Sequence, residues 1–173
     1  MRVLVVHASQ FGATKGIAER IAEVLVRRGV RAEAYPVTEL SNLAGANAVV
    51  IGSAVHAGHW LDDATRFVYR HQDELRQVPV WLFSSGPLGD RAVRSPQPDP
   101  KEVGAFRILI SPRGHEVFAG AYDRETADFS HSGLIERTVV SRMMPEGDWR
   151  DWEAIDRWAD EIATALLATA VPA

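Results

Sequence analysis

The sequence has no cysteine and only a small excess of charge of one sign. Its 173 residues therefore form no disulfide, no thiolate metal site and no catalytic thiol. The net charge of −4 argues against nucleic-acid binding, because that function usually needs a basic face. No apolar run reaches the roughly 18–20 residues that span a bilayer, and the first residues lack the pattern of a secretory leader. We expect a soluble, cytoplasmic protein without a transmembrane segment.

Short apolar runs alternate with segments of helical periodicity along the chain. The predicted strands are residues 3–6, 31–37, 48–51, 78–83 and 115–122. Apolar residues at helical spacing predict helices between most of these strands and after the last, including one over 61–75. Strands that alternate with helices form a parallel sheet covered on both faces. We therefore predict one doubly wound α/β domain over residues 1–173.

The segment 123–147 is longer than the few residues that usually join a strand to a helix. Its apolar residues predict a short amphipathic helix: Leu134, Ile135, Val139, Val140, Met143 and Met144. This helix either covers the domain or forms a docking surface for a hydrophobic substrate, a membrane face or a second subunit. The sequence leaves both interpretations, and the oligomeric state, open.

Three predicted loops lie where doubly wound sheets bind ligands, at the carboxyl ends of the strands: residues 8–14, 53–60 and 84–94. The first loop offers hydroxyls at Ser9 and Thr14, backbone amides between them, and a glycine for a tight turn. A phosphate needs such donors together with the positive end of a helix. The glycine patterns of dinucleotide-binding and P-loop proteins are missing, and so are the acidic residues of a phospho-receiver domain. These observations favour a monophosphate ligand.

The first loop, Ser-Gln-Phe-Gly-Ala-Thr over residues 9–14, resembles the phosphate loop of flavodoxins. More closely, the chain resembles the small flavodoxin-like family of menaquinone-dependent protoporphyrinogen IX dehydrogenases. Residues 52–60 (Gly-Ser-Ala-Val-His-Ala-Gly-His-Trp) are similar to the second loop of that family, and residues 147–153 (Gly-Asp-Trp-Arg-Asp-Trp-Glu) to the opening of its last helix. The resemblance implies a flavodoxin-like five-stranded parallel sheet of order 2-1-3-4-5 in three α/β/α layers.

The same resemblance implies non-covalent binding of FMN by residues of all three loops. The phosphate would be held by Ser9, Gln10, Phe11, Gly12, Ala13 and Thr14. One side of the isoalloxazine ring would face Ser53, Ala54, Val55, His56, Gly58, His59 and Trp60. The other side and the pyrimidine edge would face Ser84, Ser85, Gly86, Pro87, Leu88, Gly89 and Asp90, largely through backbone groups.

Two features depart from the pattern of the relatives. The family often has an aromatic residue where this chain has Ala57, and the third loop lacks the tyrosine that is usual in electron-carrier flavodoxins. Stacking on the ring is therefore expected from Trp60 or His59. The missing aromatic residues also leave deazaflavin F420 as an alternative cofactor.

The charges expected beside the ring favour an enzyme over an electron carrier. Low-potential flavodoxins surround the flavin with acidic residues, whereas the ring-side loops here carry His56, His59, Arg91 and Arg94 against Asp90 alone. A positive charge ~6 Å from the ring, at an effective dielectric constant of ~20, stabilises an added negative charge by roughly 3 kcal/mol. We therefore expect an FMN-dependent oxidoreductase with a quinone or another small molecule as redox partner. In that enzyme, Arg91 or Arg94 would hold an acidic group of the substrate.

An electron-transfer protein of the flavodoxin type is the first alternative, and a domain that has lost its cofactor is the second. Other chemistry is not expected. His7 ends the first strand and is interpreted as a packed core residue, while the pair His56 and His59 has no carboxylate beside it in sequence, so no metal site is predicted. Three tryptophans near the last helix are expected in the core: Trp149, Trp152 and Trp158.

Overall fold

The computed structural model of the chain describes residues 1–95, 97–125 and 144–170. Its main sheet contains β1 (Arg2–Ala8), β2 (Arg31–Pro36), β3 (Ala48–His56), β4 (His59–Trp60), β5 (Val80–Ser85) and β6 (Gly114–Phe118). Five strands are parallel neighbours in the order β2-β1-β3-β5-β6, and β4 turns back antiparallel on β3. Since the two-residue β4 only shifts the strand numbers, this is the predicted 2-1-3-4-5 arrangement, which is confirmed.

Helices cover both faces of the sheet. They are α1 (Ala13–Arg27), α2 (Asp62–Arg70), α3 (Gln72–Leu75), α4 (Asp90–Val93), α5 (Lys101–Ile110) and α6 (Trp152–Ala170). Successive residues of a strand point to opposite faces. Val3 and Val5 of β1 therefore pack with α1 and α6, whereas Leu4 and Val6 pack with α2, α3 and α5. Two buried cores result, one on each side of the sheet.

Of the five predicted strands, two differ most from their predicted limits. The strand predicted to end at residue 51 continues to His56, because its last residues pair with β4 in a hairpin. The strand predicted over 115–122 is wrong as a single element: β6 ends at Phe118, where its neighbour β5 also ends. Beyond that point β7 (Ala121–Tyr122) pairs antiparallel with β8 (Gly147–Asp148) in a separate two-stranded sheet.

The helix predicted over 61–75 is divided into α2 and α3, which meet at His71. The buried His71 ring packs on Phe67, and its Nδ1 lies 3.1 Å from the Glu74 carboxylate. Most of the amphipathic helix predicted within 123–147 falls on residues 126–143, outside the described part of the chain. None of the helices within the described ranges is both long and apolar enough to cross a membrane.

His7 is buried in β1, as predicted, with 5% of its surface exposed. Burial, with a smaller contribution from the positive charge of Lys15, lowers the pKa of His7 from 6.5 to about 4. Between these two pH values the unfolded chain binds a proton that the folded chain does not. We therefore expect the free energy of unfolding not to depend on the titration of His7 above pH 6.5. As the pH drops from 6.5 toward 4, that free energy should fall by up to roughly 3 kcal/mol.

Urea unfolding of the wild type and of His7→Leu at about pH 7.5 and about pH 4.5 measures this contribution. The wild type should lose stability at the lower pH, and the variant should lose roughly 2 kcal/mol less than the wild type. An equal loss in both proteins would contradict the assignment to His7.

Candidate functional site

A cleft opens at the carboxyl ends of β1, β3 and β5, where the sequence predicted ligand binding. Its empty space, including the part open to solvent, is about 520 Å³. We call it the strand-end cleft. Fourteen of the described residues line it, and eleven of these come from the three predicted loops: Ser9, Gln10, Phe11, Ala13, Thr14, Ala54, Val55, His56, Ser85, Gly86 and Leu88. The topology therefore brings together residues from all three loops.

The first loop ends at the amino terminus of α1. Gly12 has φ +89°, a left-handed conformation that favours glycine, and its amide donates to the Ser9 hydroxyl at 3.1 Å. The Gly16 amide donates to the Gly12 carbonyl at 3.0 Å and closes the first helical turn. The amides of residues 13–15 precede this bond and have no partner within the helix. The positive end of the helix dipole lies at the same end of α1. The first turn of α1 contains no acidic side chain.

The second predicted loop is a β-hairpin rather than an irregular loop. Its turn residues Ala57 and Gly58 both have positive φ, as a tight two-residue hairpin turn requires. The first turn of α5 clamps it: Glu102 lies 2.7 Å from His59 Nδ1 and accepts the Trp60 amide at 2.9 Å. Burial, the largest influence, acts to raise the pKa of Glu102, but the hydrogen bonds from Trp60 and His59 outweigh it and the pKa is lowered. The hairpin is thus held by a carboxylate that is distant in sequence.

Trp60 and His59, the expected stacking residues, do not line the strand-end cleft. Trp60 is only 3% exposed, and its ring packs on Phe106 with the centroids 5.3 Å apart. Its indole N–H donates to the Ser84 hydroxyl at 2.8 Å. The same hydroxyl oxygen lies 2.8 Å from His115 Nε2. Stacking by Trp60 or His59 is not supported by this geometry. His115 was not among the predicted residues, because nothing near it in sequence marks its contact with Ser84.

Among the described residues, the other predicted ones do not line the cleft, and two of them, Ser53 and Asp90, make contacts behind it. Ser53 is buried, and its hydroxyl accepts the Leu61 amide at 3.0 Å. Asp90 accepts the Trp149 indole N–H at 2.8 Å, which ties the third loop to the segment before α6. Arg94 is exposed and does not line the cleft, and the side chain of Arg91 is outside what the structure describes. The remaining predicted residues that do not line the cleft are Gly12, Gly58, Ser84, Pro87 and Gly89.

Three further described residues line the cleft but were not predicted to bind the cofactor: Gly120, Ala121 and Met144. Gly120 and Ala121 follow β6 at the same sheet edge. Ligands bind at the ends of the strands, so these two residues would have been predicted if the strand had been correctly ended at Phe118. Met144 belongs to the segment before α6, where its apolar spacing predicted an amphipathic helix and not a place in the cofactor site. The segment before α6 therefore reaches the strand-end cleft at Met144.

The strand-end cleft is nearly free of charge. Among its lining residues in the described ranges there is no Asp, Glu, Lys or Arg, and His56 is the one titratable side chain. Of the described side chains that were expected to carry positive charge beside a ring, His56 lines the cleft, whereas His59 is paired with Glu102 and Arg94 lies outside it. The carboxylates of Glu102 and Asp90 face other groups.

The arrangement fits a flavin mononucleotide. Ser9, Ala13 and Thr14 bring first-loop hydroxyls and the start of α1 to the cleft, where they could hold a phosphate. Val55, Leu88 and Met144 supply apolar walls for a ring. Two glycines leave the space open: a Cβ on Gly86 would lie 3.1 Å from Val55, and one on Gly120 would lie 3.1 Å from Leu88. Larger residues at either position would narrow the cleft.

This sheet order, the helices on both faces and the phosphate-type loop before α1 define a doubly wound protein of the flavodoxin type. The model of the flavodoxin domain family matches residues 4–147, and the chain belongs to that family. Comparison with curated proteins finds no match.

Solved structures share the fold at low sequence identity. A flavodoxin from the domain Archaea has a TM-score of 0.64 and 15% identity, with 96% of this chain and 99% of that chain covered. A cysteine-to-serine mutant of a Pseudomonas aeruginosa flavodoxin has a TM-score of 0.60 and 15% identity over 96% and 99% of the two chains. Rubredoxin oxygen:oxidoreductase from Desulfovibrio gigas has a TM-score of 0.65 and 15% identity over 98% of this chain but 37% of its own.

Proposed function

We propose that this protein binds FMN in the strand-end cleft and functions in electron transfer. The observation that carries the proposal is that the start of α1, which follows the left-handed Gly12, lines the same cleft as apolar residues of the other two loops and of the segment before α6. Ser9, Thr14 and the amides of residues 13–15 would hold the phosphate, and Val55, Leu88 and Met144 would contact the ring. When bound, FMN supplies one- and two-electron redox chemistry, which the protein tunes through the charge around the ring.

Within this function, we favour an FMN-dependent oxidoreductase over a low-potential electron carrier. Since none of the described residues that line the cleft is a carboxylate, the cleft does not disfavour a negative charge on the reduced ring, and a protonated His56 would stabilise it. A small molecule would donate electrons and a quinone would accept them. The protoporphyrinogen dehydrogenase activity of the resembled family is the substrate hypothesis to test first, and a cytoplasmic location stays a prediction.

A direct test of the cofactor is equilibrium titration of purified protein, stripped of bound small molecules, with FMN and with deazaflavin F420. We expect FMN to bind with a change in flavin fluorescence and F420 to bind more weakly. Binding of F420 alone would replace the cofactor assignment, and uptake of neither would overturn the function. The alternative of a pure electron carrier is favoured if the loaded protein has a low midpoint potential and turns over no substrate.

Removal of two arginines tests the substrate hypothesis. In Arg91→Ala/Arg94→Ala, we expect the apparent KM for a carboxylated substrate such as protoporphyrinogen IX to rise roughly tenfold, because one ion-paired contact is worth about 1.4 kcal/mol. FMN affinity should stay unchanged. Steady-state assays with a menaquinone analogue measure KM, and fluorescence titration measures FMN binding. An unchanged KM would remove these arginines from substrate binding.

A further inference from the structure

The hairpin formed by the end of β3 and by β4 is docked on the first turn of α5. Besides the carboxylate contacts described above, the Lys101 amide donates to the Gly58 carbonyl at 3.1 Å. These bonds hold the backbone of the hairpin and leave the Trp60 ring to be fixed by other groups. The position of the hairpin matters to the strand-end cleft because Val55 and His56, near the end of β3, line it.

A chain of side-chain contacts connects the buried Trp60 ring to the start of α5. The Trp60 indole N–H donates to Ser84, whose hydroxyl oxygen lies 2.8 Å from His115 Nε2. The other ring nitrogen, His115 Nδ1, lies 3.1 Å from one oxygen of Asp99. Arg107 lies 2.7 Å from the second oxygen of that carboxylate and fixes it. The chain therefore runs from the core to a carboxylate that is 40% exposed.

The donors and acceptors of this chain require a neutral His115. An indole N–H can only donate, so the Ser84 oxygen accepts it. The Ser84 hydroxyl can donate to His115 only while Nε2 carries no hydrogen, and the hydrogen of the neutral ring then lies on Nδ1, opposite Asp99. Burial is the largest influence and lowers the pKa of His115, while Asp99 acts to raise it and Arg107 to lower it.

Serine, histidine and aspartate connected in this order also form the catalytic triad of serine hydrolases. Here Ser84 is 0% exposed, and its oxygen is engaged by the Trp60 indole. Ser84 is also not among the described residues that line the strand-end cleft. A nucleophile must reach its substrate, so this geometry does not support hydrolysis. The chain acts on the hairpin instead.

We propose that His115 is a positioning residue for the strand-end cleft: its neutral ring holds Ser84 and Trp60, and thereby keeps the hairpin with Val55 and His56 in place. The consequence for flavin binding rests on the proposed function. Because Trp60 pairs with Val55 across the hairpin, movement of the indole is transmitted directly to a wall of the cleft.

Lowering the pH should release the indole. A ring protonated on both nitrogens would present a second donor to the serine oxygen and accept nothing from it. The charged groups that face His115 within the described ranges are Asp99 and Arg107, from the segment before α5 and from α5 itself. Protonation of His59 acts in the opposite direction, because it completes an ion pair with Glu102. A variant that changes position 115 alone separates the two effects.

Hydrogen exchange of the Trp60 indole N–H in the flavin-free protein, followed by NMR, tests whether His115 holds the hairpin. Protection is measured relative to free tryptophan at about pH 7.5 and about pH 5, and the signal is assigned with Trp60→Phe. His115→Leu should lower the protection roughly tenfold at both pH values, because the Ser84 hydroxyl loses its acceptor. Trp152, predicted in the core, is instead 37% exposed, and its indole serves as an internal reference.

His115→Gln distinguishes positioning from simple loss of packing. Its amide oxygen can accept the Ser84 hydroxyl, and it does not titrate. We expect this variant to keep the protection of Trp60 at both pH values, whereas the wild type should lose severalfold more protection than the variant at the lower pH. Fluorescence titration with FMN at about pH 7.5 should show binding weakened roughly tenfold in His115→Leu and restored in His115→Gln.

His71→Leu is the matched control. The His71 side chain is also 3% exposed and also lies 3.1 Å from a carboxylate, that of Glu74, but it belongs to the α2–α3 junction. Its replacement should change neither the protection of Trp60 nor FMN affinity.

The inference is overturned if His115→Leu keeps wild-type protection or wild-type FMN affinity. It is also overturned if His115→Gln loses as much protection at the lower pH as the wild type, or if His71→Leu has the same effects as His115→Leu. If the wild type binds no FMN, the proposed function fails, while the exchange measurements still decide whether His115 holds the hairpin.

Discussion

Replacing Ala13 with aspartate should weaken FMN binding by at least roughly a hundredfold while it slightly stabilises the fold. Ala13 is the first residue of α1 and lines the strand-end cleft. A carboxylate at this position would repel a phosphate a few ångströms away by several kcal/mol at an effective dielectric constant of ~20. The same carboxylate would interact favourably with the helix dipole and raise the free energy of unfolding by about 0.5 kcal/mol.

The opposite signs of these two effects make the prediction specific to the phosphate. Ala13→Asn is the neutral control of nearly the same size, and its FMN affinity should fall much less than that of Ala13→Asp. Riboflavin, which lacks the phosphate, should bind both variants similarly. Fluorescence titration and thermal unfolding measure the two quantities. Wild-type FMN affinity in the aspartate variant would show that the phosphate lies elsewhere.

Gly52→Ala should destabilise the protein by about 3 kcal/mol. A Cβ on Gly52 would lie 1.9 Å from Cζ of Phe83, the residue opposite it on β5. Phe83 is fully buried, and its ring packs between Phe118 and Trp158 with centroid separations of 6.1 and 6.3 Å. Because the ring has no open space to enter, the strands or the surrounding core must shift.

Gly104→Ala is the matched control, because the same methyl group is added where nothing lies within 4 Å. Gly104 is an exposed residue of α5, and alanine there should stabilise the protein by about 0.5–1 kcal/mol. Chemical denaturation measures both changes. The double variant Gly52→Ala/Phe83→Leu should recover part of the lost stability by removing ring atoms. A loss below about 1 kcal/mol in Gly52→Ala would mean that the Phe83 ring moves easily.

β3 shows which part of the ligand-binding edge the sequence predicts and which part it does not. The apolar run at 48–51 and the following Gly52-Ser53 predicted a strand that ends at the ligand-binding edge, and the edge is correct. The hairpin that extends β3 was not predicted, because Glu102, which holds it, lies 42 residues from Trp60. Local patterns cannot indicate which distant carboxylate satisfies an amide.

The sequence by itself determined the alternation of strands and helices, the two buried faces and the position of the phosphate-type loop. These depend on contiguous patterns: apolar strands, helical periodicity, and the glycine and hydroxyl residues of 9–14. The strand order was implied by the resemblance of the chain to flavodoxins. The tertiary structure alone decided which side chains of the other two loops face the cleft. Trp60 is turned inward by its packing on Phe106 and its bond to Ser84, while Met144 reaches the ligand-binding edge from a distant segment. Such contacts join residues far apart in sequence, so no local pattern of residues encodes them.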